Sequence, residues 1–413
     1  MTKPVIFHID FDCYFVSAAR TIQPELNNQP VAISRSSAHA IAVSVSYELR
    51  NKGVKAGMKN FEIKEIEPKT IFVASDMQLY EDLSSKIFEY IALEYSGNLQ
   101  IASIDECYID VSELIIQRRV TPIQLAQKLQ RDILNKFRIP ISIGISHNKF
   151  LAKMTTNISK PFGIGFTDEN NFEKSFFDLD IEKYHGIGKK TAAKLRSVNI
   201  NTIGDLASKK VSDLEINAIF GRVGQNILKN LDPSVYEHIS FQDEQAIGIG
   251  NEITFEDYSL PYELKIEHLL KLCEKVSNRL KKENLAGNVI TLTIRFRNKK
   301  WSNKQIKIQN YINDKSQIYL LANNLFLKYF SESDFIGIGV RVSGLRNIKD
   351  IYVPQSLLKN NLSHMNQNIV SEIITQVNDL FANPTLKILS EEEIKTKRIK
   401  QGKYRFKKIL FRK

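Results

Sequence analysis

The chain has 413 residues, 43% of them hydrophobic and 25% charged, with a formal net charge of +12. That balance excludes a disordered or fibrous chain, and the length calls for several domains, each with its own core. No apolar run approaches bilayer-spanning length, the strand-like start is too short for a secretory leader, and the three cysteines (Cys13, Cys107, Cys273) lack zinc-site or disulfide-framework spacing, so a reduced, cytoplasmic protein with no membrane partner is expected.

Residues 5–9 are apolar on both faces and predict a central strand buried from both sides, followed by a turn and a helix. Residues 101–111 read as two short strands with the acidic pair Asp105-Glu106 between them. Leu125, Leu129 and Ile133 give residues 122–137 a helical spacing, residues 139–145 alternate as a strand, and 148–159 form the next helix. Strands and helices interleaved in this way predict an α+β sheet domain with helices packed on it. From about residue 170 the pattern is purely helical, in short pieces punctuated by Gly186-Ile-Gly188 and Gly221-Arg-Val-Gly224, and a polar stretch at 232–246 reads as a linker.

Alternation then returns. A strand at 247–255, a long helix at 262–282, strands at 289–297 and 305–309, a helix at 317–330 and a strand at 336–342 make a βαββαβ unit. Within it Leu292, Ile294 and Phe296 share one face, and Thr291, Thr293, Arg295 and Arg297 share the other. Ile306 and Ile308 alternate with Gln305, Lys307 and Gln309, and Arg341 lies between Val340 and Val342. A sheet face of Arg, Lys, Thr and Gln suits a phosphate backbone; it also suits plain solvation. Beyond residue 346 the chain is irregular and then basic. Residues 395–413 hold ten Lys or Arg and no Asp or Glu, so they carry +10 of the +12 and leave the body near neutral.

Asp10 and Asp12 fall at the end of the first strand, and Asp105 and Glu106 in the later turn. Clustered carboxylates at the edge of a buried sheet cost desolvation energy unless cations or hydrogen bonds compensate, and they are the hard oxygen donors that magnesium takes. A turn or helix cap accounts equally well for any one of them. Tyr47 and Arg50, three residues apart, share a face if their segment is helical; an exposed amphipathic helix has the same spacing.

Phe7-His-Ile-Asp-Phe-Asp-Cys-Tyr-Phe15, Ser103-Ile-Asp-Glu106, and Gly144-Ile-Ser-His-Asn-Lys-Phe-Leu-Ala-Lys153 running on to Ser159-Lys-Pro161 resemble, in order, the three signatures of the Y-family DNA polymerases of the bacterial polymerase IV type. The resemblance extends from about residue 4 to about 346. It implies a right-hand polymerase with a palm at 1–20 and 75–165, small fingers at 21–74, a helical thumb with helix-hairpin-helix turns at 166–240, a little finger at 245–346 and a tail at 347–413. Asp10, Asp105 and Glu106, with the backbone carbonyl of Phe11, are then the ligands of two magnesium ions, and Asp12 holds local structure. Phe15 matches the steric gate against a ribose hydroxyl, with Tyr14 beneath it. Tyr47, Arg50 and Lys160 match the contacts to the triphosphate. Gly186, Gly188, Lys189, Lys190, Gly221 and Gly224 match phosphate-binding turns, which the exposed strand residues Arg295, Arg297, Lys307 and Arg341 would extend.

The sequence departs from the family pattern at Ser36–Ala40 in the fingers, and Arg20 stands where an acidic residue is common. The expected partners are primer-template DNA and deoxynucleoside triphosphates, and the expected state is a monomer. Gln376-Val-Asn-Asp-Leu-Phe381 resembles the peptide with which bacterial polymerases bind the sliding clamp, and fits an ordinary amphipathic helix as well. The activity implied is low-fidelity, damage-tolerant DNA synthesis. A catalytically inactive, DNA-bound adaptor is the rival reading, and retention of all three carboxylates speaks against it.

Overall fold

The computed structural model describes residues 3–351, apart from 38, 39, 97, 98, 237, 238, 240–245, 256 and 332. The peptide at 376–381, similar to clamp-binding segments, and the basic run at 395–413 therefore lie outside the described residues, as does part of the atypical segment 36–40. The chain divides near residue 242 into two compact units.

In the first unit the strands are β1 (Ile6–Phe11), β2 (Val31–Ile33), β3 (Ser44–Val45), β4 (Ile71–Val73), β5 (Leu99–Ile101), β6 (Glu106–Asp110), β7 (Ile141–Ser146) and β8 (Ile164–Phe166). Five form one sheet in the order β5-β6-β1-β7-β8, with β1 at its centre and antiparallel to both neighbours. The expectation of a strand buried on both sides is met along all six residues of β1. Phe7, Ile9 and Phe11 join the main core with Ile87, Phe88 and Ile91 of helix Met77–Glu94 and Leu125, Leu129 and Ile133 of helix Pro122–Phe137. Ile6 turns the other way and packs with Ala152 of helix Lys149–Ser159, so His8 and Asp10, two and four residues on, share that face.

Gly144 fixes how near that helix comes. A Cβ there would lie 2.1 Å from the Ala152 carbonyl oxygen and 2.4 Å from the Thr156 nitrogen, so only glycine lets the helix backbone rest on β7. Asn148 caps the helix by accepting from the Leu151 N–H.

A second sheet, β3-β2-β4, was not expected. Its strands have two or three residues, too few to show a period of two. The region after 170 is helical, as its pattern predicts, with Leu195, Ile200, Ile203 and Leu206 in its core.

The second unit contains β9 (Gly248–Thr254), β10 (Leu285–Phe296), β11 (Trp301–Ile312) and β12 (Phe335–Asn347), in the order β11-β10-β12-β9. Helices Tyr262–Lys282 and Lys315–Tyr329 cover one face, burying Ile290, Leu292, Ile294, Ile338, Val340 and Val342. The βαββαβ order is as expected, but the strands are longer: edge strand β11 runs twelve residues where five were anticipated.

Candidate active site

Antiparallel pairing of β1 with β6 places Asp10 directly opposite Glu106. Glu106 is thus the first residue of a strand, while Asp105 alone keeps the turn, where its carbonyl accepts from the Phe11 N–H at 2.9 Å. Ser103 Oγ donates to the Asp105 carboxylate at 2.6 Å. The three acidic residues line one cleft of about 220 Å³ together with Phe11, Tyr14, Phe15, Arg50 and Lys160. A larger cleft of about 410 Å³, at Tyr95, Arg118, Lys128 and Asp132, contains none of them. Chemistry, not volume, marks the smaller one.

Two lysines meet the carboxylates. Lys160 Nζ is 2.5 Å from Asp10 Oδ1, and Lys153 Nζ is 2.6 Å from Glu106 Oε1. Burial pushes the Asp10 carboxyl up to about 8 despite the pull of Lys160, and its hydrogen bond with Glu106 adds to the rise. Burial acts in the same direction on Glu106, but the neighbouring His8 together with Asp10 and Lys153 outweighs it and holds that carboxyl below its usual range. The two carboxyls thus titrate as a coupled pair, burial raising Asp10 and its neighbours lowering Glu106. His8, wholly buried, is pushed down to about 4 chiefly by desolvation and is neutral.

The donor set fits divalent cations. It consists of hard carboxylate oxygens at the edge of a sheet, and ammonium groups already sit against two of them, where positive charge offsets burial. Phe11 also lines the cleft, its ring 1% exposed and packed between Tyr14 and Phe88.

Asp12 faces elsewhere. It accepts from Ser142 Oγ at 3.0 and 2.9 Å, from the Phe162 N–H at 2.8 Å and from Tyr47 Oη at 3.2 Å. It therefore ties β1 to β7, to the segment after Lys160 and to the short helix Tyr47–Arg50. Burial raises its carboxyl, and the Phe162 and Ser142 hydrogen bonds oppose that. The expected structural role of Asp12 agrees with these contacts.

Cys13, at φ 39°, turns the chain from β1 into helix Tyr14–Ile22. A left-handed cysteine is uncommon, and the sharp turn brings Phe15 to the cleft one turn beyond Asp10. The Phe15 ring stacks on Tyr80 at 4.2 Å and 7°. Tyr14 is buried 5.9 Å from it, and its hydroxyl donates to the Tyr80 carbonyl at 2.6 Å, so Tyr14 offers packing rather than a donor.

The helical spacing of Tyr47 and Arg50 is met: the guanidinium lies over the Tyr47 ring at 4.8 Å, and its Nε donates to the Val45 carbonyl at 3.1 Å. Arg20 steadies this helix from below, donating to Glu48 at 3.0 Å and to the Leu26 and Gln29 carbonyls.

Among the other basic candidates, Gly186 has φ +103° and Gly188 begins the helix carrying exposed Lys189 and Lys190. Gly221 also has positive φ, whereas Gly224 is buried against Ile216. Lys307 and Arg341 are exposed. Arg295 donates to Thr254 Oγ1 at 2.8 Å and lies over Trp301, and Arg297 pairs with Asp334.

Lys153, His8 and Thr156 are the neighbours that the sequence did not single out. A lysine and a threonine on an amphipathic helix carry no local signal. Their contacts to Glu106 and His8 span 47 and 148 residues.

The sequence profile of the impB/mucB/samB family matches residues 9–157, and that of its C-terminal domain matches residues 247–355. The chain is 33% identical to DNA polymerase IV of Oceanobacillus iheyensis over 350 residues, covering 84% of this chain and 82% of that one. It is 34% identical to DNA polymerase IV of Ureaplasma parvum over 83% of this chain and 95% of the other. DNA polymerase IV 1 of Bacillus subtilis is 28% identical over 95% of each. Among solved structures, a Y-family DNA polymerase chimera superposes with a TM-score of 0.70 at 24% identity, covering 82% of this chain and 98% of the chimera. An insertion ternary complex of Dbh DNA polymerase gives a TM-score of 0.60 at 25% identity with the same coverage.

Proposed function

The chain belongs to the impB/mucB/samB family, and we propose from that premise that it is a template-directed, translesion DNA polymerase of the Y-family kind. It adds deoxynucleotides to a primer 3′ end on primer-template DNA, tolerates damaged templates, and holds its metal ions at Asp10, Asp105, Glu106 and the Phe11 carbonyl. The observation that carries the reading is the juxtaposition of Asp10 and Glu106 across β1 and β6 in one cleft with Asp105, Phe15, Arg50 and Lys160.

Two divalent ions, magnesium in this proposal, would supply activation of the attacking hydroxyl and charge stabilisation on the leaving pyrophosphate. The residues of the chain do the rest. Lys160 hands its charge from Asp10 to the triphosphate, and Arg50 offers it a forked donor beside the Tyr47 hydroxyl. Asp12 keeps Tyr47 and the segment around Lys160 at one distance from β1, which is a positioning task. Phe15, backed by Tyr80, is a wall where a ribose would carry its extra hydroxyl. Lys153 stays with Glu106 and aims its carboxylate.

The finer reading assigns palm to 1–20 and 75–165, fingers to 21–74, thumb to 166–240 and little finger to 245–346. Lys189, Lys190, Lys307 and Arg341 would meet DNA phosphates, and residues 376–381 a sliding clamp. A monomer acting in the cytoplasm completes the proposal. No helix among the described residues is long and apolar enough to cross a membrane.

The test is primer extension across a template abasic site, beside an undamaged template, with deoxynucleotides and Mg²⁺. Distributive synthesis on both templates is expected. Synthesis that stops one nucleotide before every lesion would refute damage tolerance, and no synthesis on either template would refute the polymerase.

A further inference from the structure

We infer that His8, Asp10 and Glu106 form a second kind of metal site, selective for a divalent ion that accepts imidazole nitrogen, such as zinc or cobalt(II). One ligand atom from each of the three lies within 4.8 Å of the others. Clustered carboxylates alone would not carry this. The orientation of the buried histidine does.

His8 is 0% exposed, and its Nδ1 is 2.9 Å from Thr156 Oγ1. The Thr156 hydroxyl has one proton to give. It lies 3.0 Å from the Ala152 carbonyl and 3.1 Å from the His8 carbonyl, and both of these can only accept. Given to the Ala152 carbonyl, the usual back-bond of a threonine inside a helix, that proton leaves the hydroxyl oxygen to accept from Nδ1–H. The ring is therefore the Nδ1–H tautomer, and Nε2 bears a lone pair.

That lone pair faces the acidic cluster. Nε2 is buried without a hydrogen-bond partner, and Glu106 Oε2 is 3.9 Å away, beyond hydrogen-bond range. Two acceptors held apart in a buried space are costly, and a cation between them turns the cost into ligation. Lys153 engages only Oε1 of Glu106, so Oε2 remains toward His8.

The donor set, one imidazole nitrogen and two carboxylates, is that of zinc or cobalt(II), whereas magnesium takes oxygen and water. Thr156 is the outer partner that fixes the tautomer, as hydrogen-bonded neighbours of metal-binding histidines commonly do. Asp10 and Glu106 cannot serve both ions in full. Zinc here would thus displace the catalytic magnesium, a consequence that rests on the polymerase reading; the site itself does not.

The experiment uses full-length, metal-stripped protein without DNA or nucleotide. Zinc affinity is read by competition with a chromophoric chelator, magnesium affinity is measured alongside, and thermal melting reports the fold. His8→Leu should weaken zinc binding by at least ~10-fold while leaving magnesium affinity within about twofold. Thr156→Val, nearly isosteric, frees the ring to take the other tautomer and should weaken zinc by a smaller factor. Asp10→Asn should weaken both ions. Equal zinc affinity in wild type and folded His8→Leu overturns the proposal, as does zinc binding that survives Asp10→Asn unchanged. If His8→Leu does not fold, Thr156→Val decides, and an unchanged zinc affinity there overturns it. The His8→Leu and Thr156→Val outcomes do not bear on primer extension in magnesium, so the two readings fail separately.

Discussion

Asp12 stands two residues from a proposed metal ligand yet spends its oxygens on Ser142, Phe162 and Tyr47. Its removal strands buried donors on three elements, so Asp12→Ala should cost about 3 kcal/mol in urea unfolding. Asp12→Asn should recover little, because its amide would face donors; full recovery would show that one acceptor suffices. His8 offers a pH signature. Its imidazole titrates near 6.5 when unfolded but is held neutral to about 4 when buried. Between those values the unfolded chain binds a proton that the native one refuses, so the His8 contribution is complete above pH 6.5 and falls as pH drops toward 4, by about 3 kcal/mol. Stability of wild type minus His8→Leu should follow that slope; a flat difference would mean that His8 titrates normally. Phe15 is a matter of shape. Phe15→Ala should raise ribonucleotide incorporation ~100-fold, about 2.7 kcal/mol of lost discrimination, and an unchanged ratio would remove Phe15 from that role.

The helix Lys149–Ser159 delivers Lys153 to Glu106 and Thr156 to His8, and Gly144 on β7 sets its distance. Gly144→Ala should push the helix outward at a cost of about 3 kcal/mol and reduce activity even where the fold survives. Wild-type stability and rate in that variant would show that the close approach is unimportant. The short helix Tyr47–Arg50 depends on Arg20, which joins it to the turn after the first helix. Arg20→Ala should cost about 1 kcal/mol and raise KM for the nucleotide with little change in kcat. The reverse pattern would separate Arg20 from nucleotide binding. These elements differ in how far the sequence revealed them. Helix 122–137 and strand β1 declare themselves through periodicity and length. The sheet β3-β2-β4 does not, since its short strands gain their order from long-range pairing. Lys153 and Thr156 were invisible for a related reason, because what they touch is far away in the chain.

At the scale of the whole molecule, the division near residue 242 falls in the polar stretch read as a linker at 232–246, and the βαββαβ unit after it was legible in the return of alternation. The acidic site was available only through the resemblance. Periodicity alone cannot tell Asp10 from a turn residue, and it places Glu106 in the turn rather than opposite Asp10. Charge distribution yields a test at this scale. If exposed Lys and Arg on both units meet phosphates, primer-template affinity should fall ~10³-fold between 50 and 200 mM salt. A shallow dependence would argue against a backbone-tracking interface. The most direct measurement concerns the carboxylates themselves: primer extension with Mg²⁺ and deoxynucleotides, comparing wild type with Asp105→Ala/Glu106→Ala at matched fold and DNA affinity. Extension by wild type and none by the double variant is the predicted result. Equal extension by both, or none by wild-type protein that binds the DNA, would contradict the assignment of this cleft as the polymerase site.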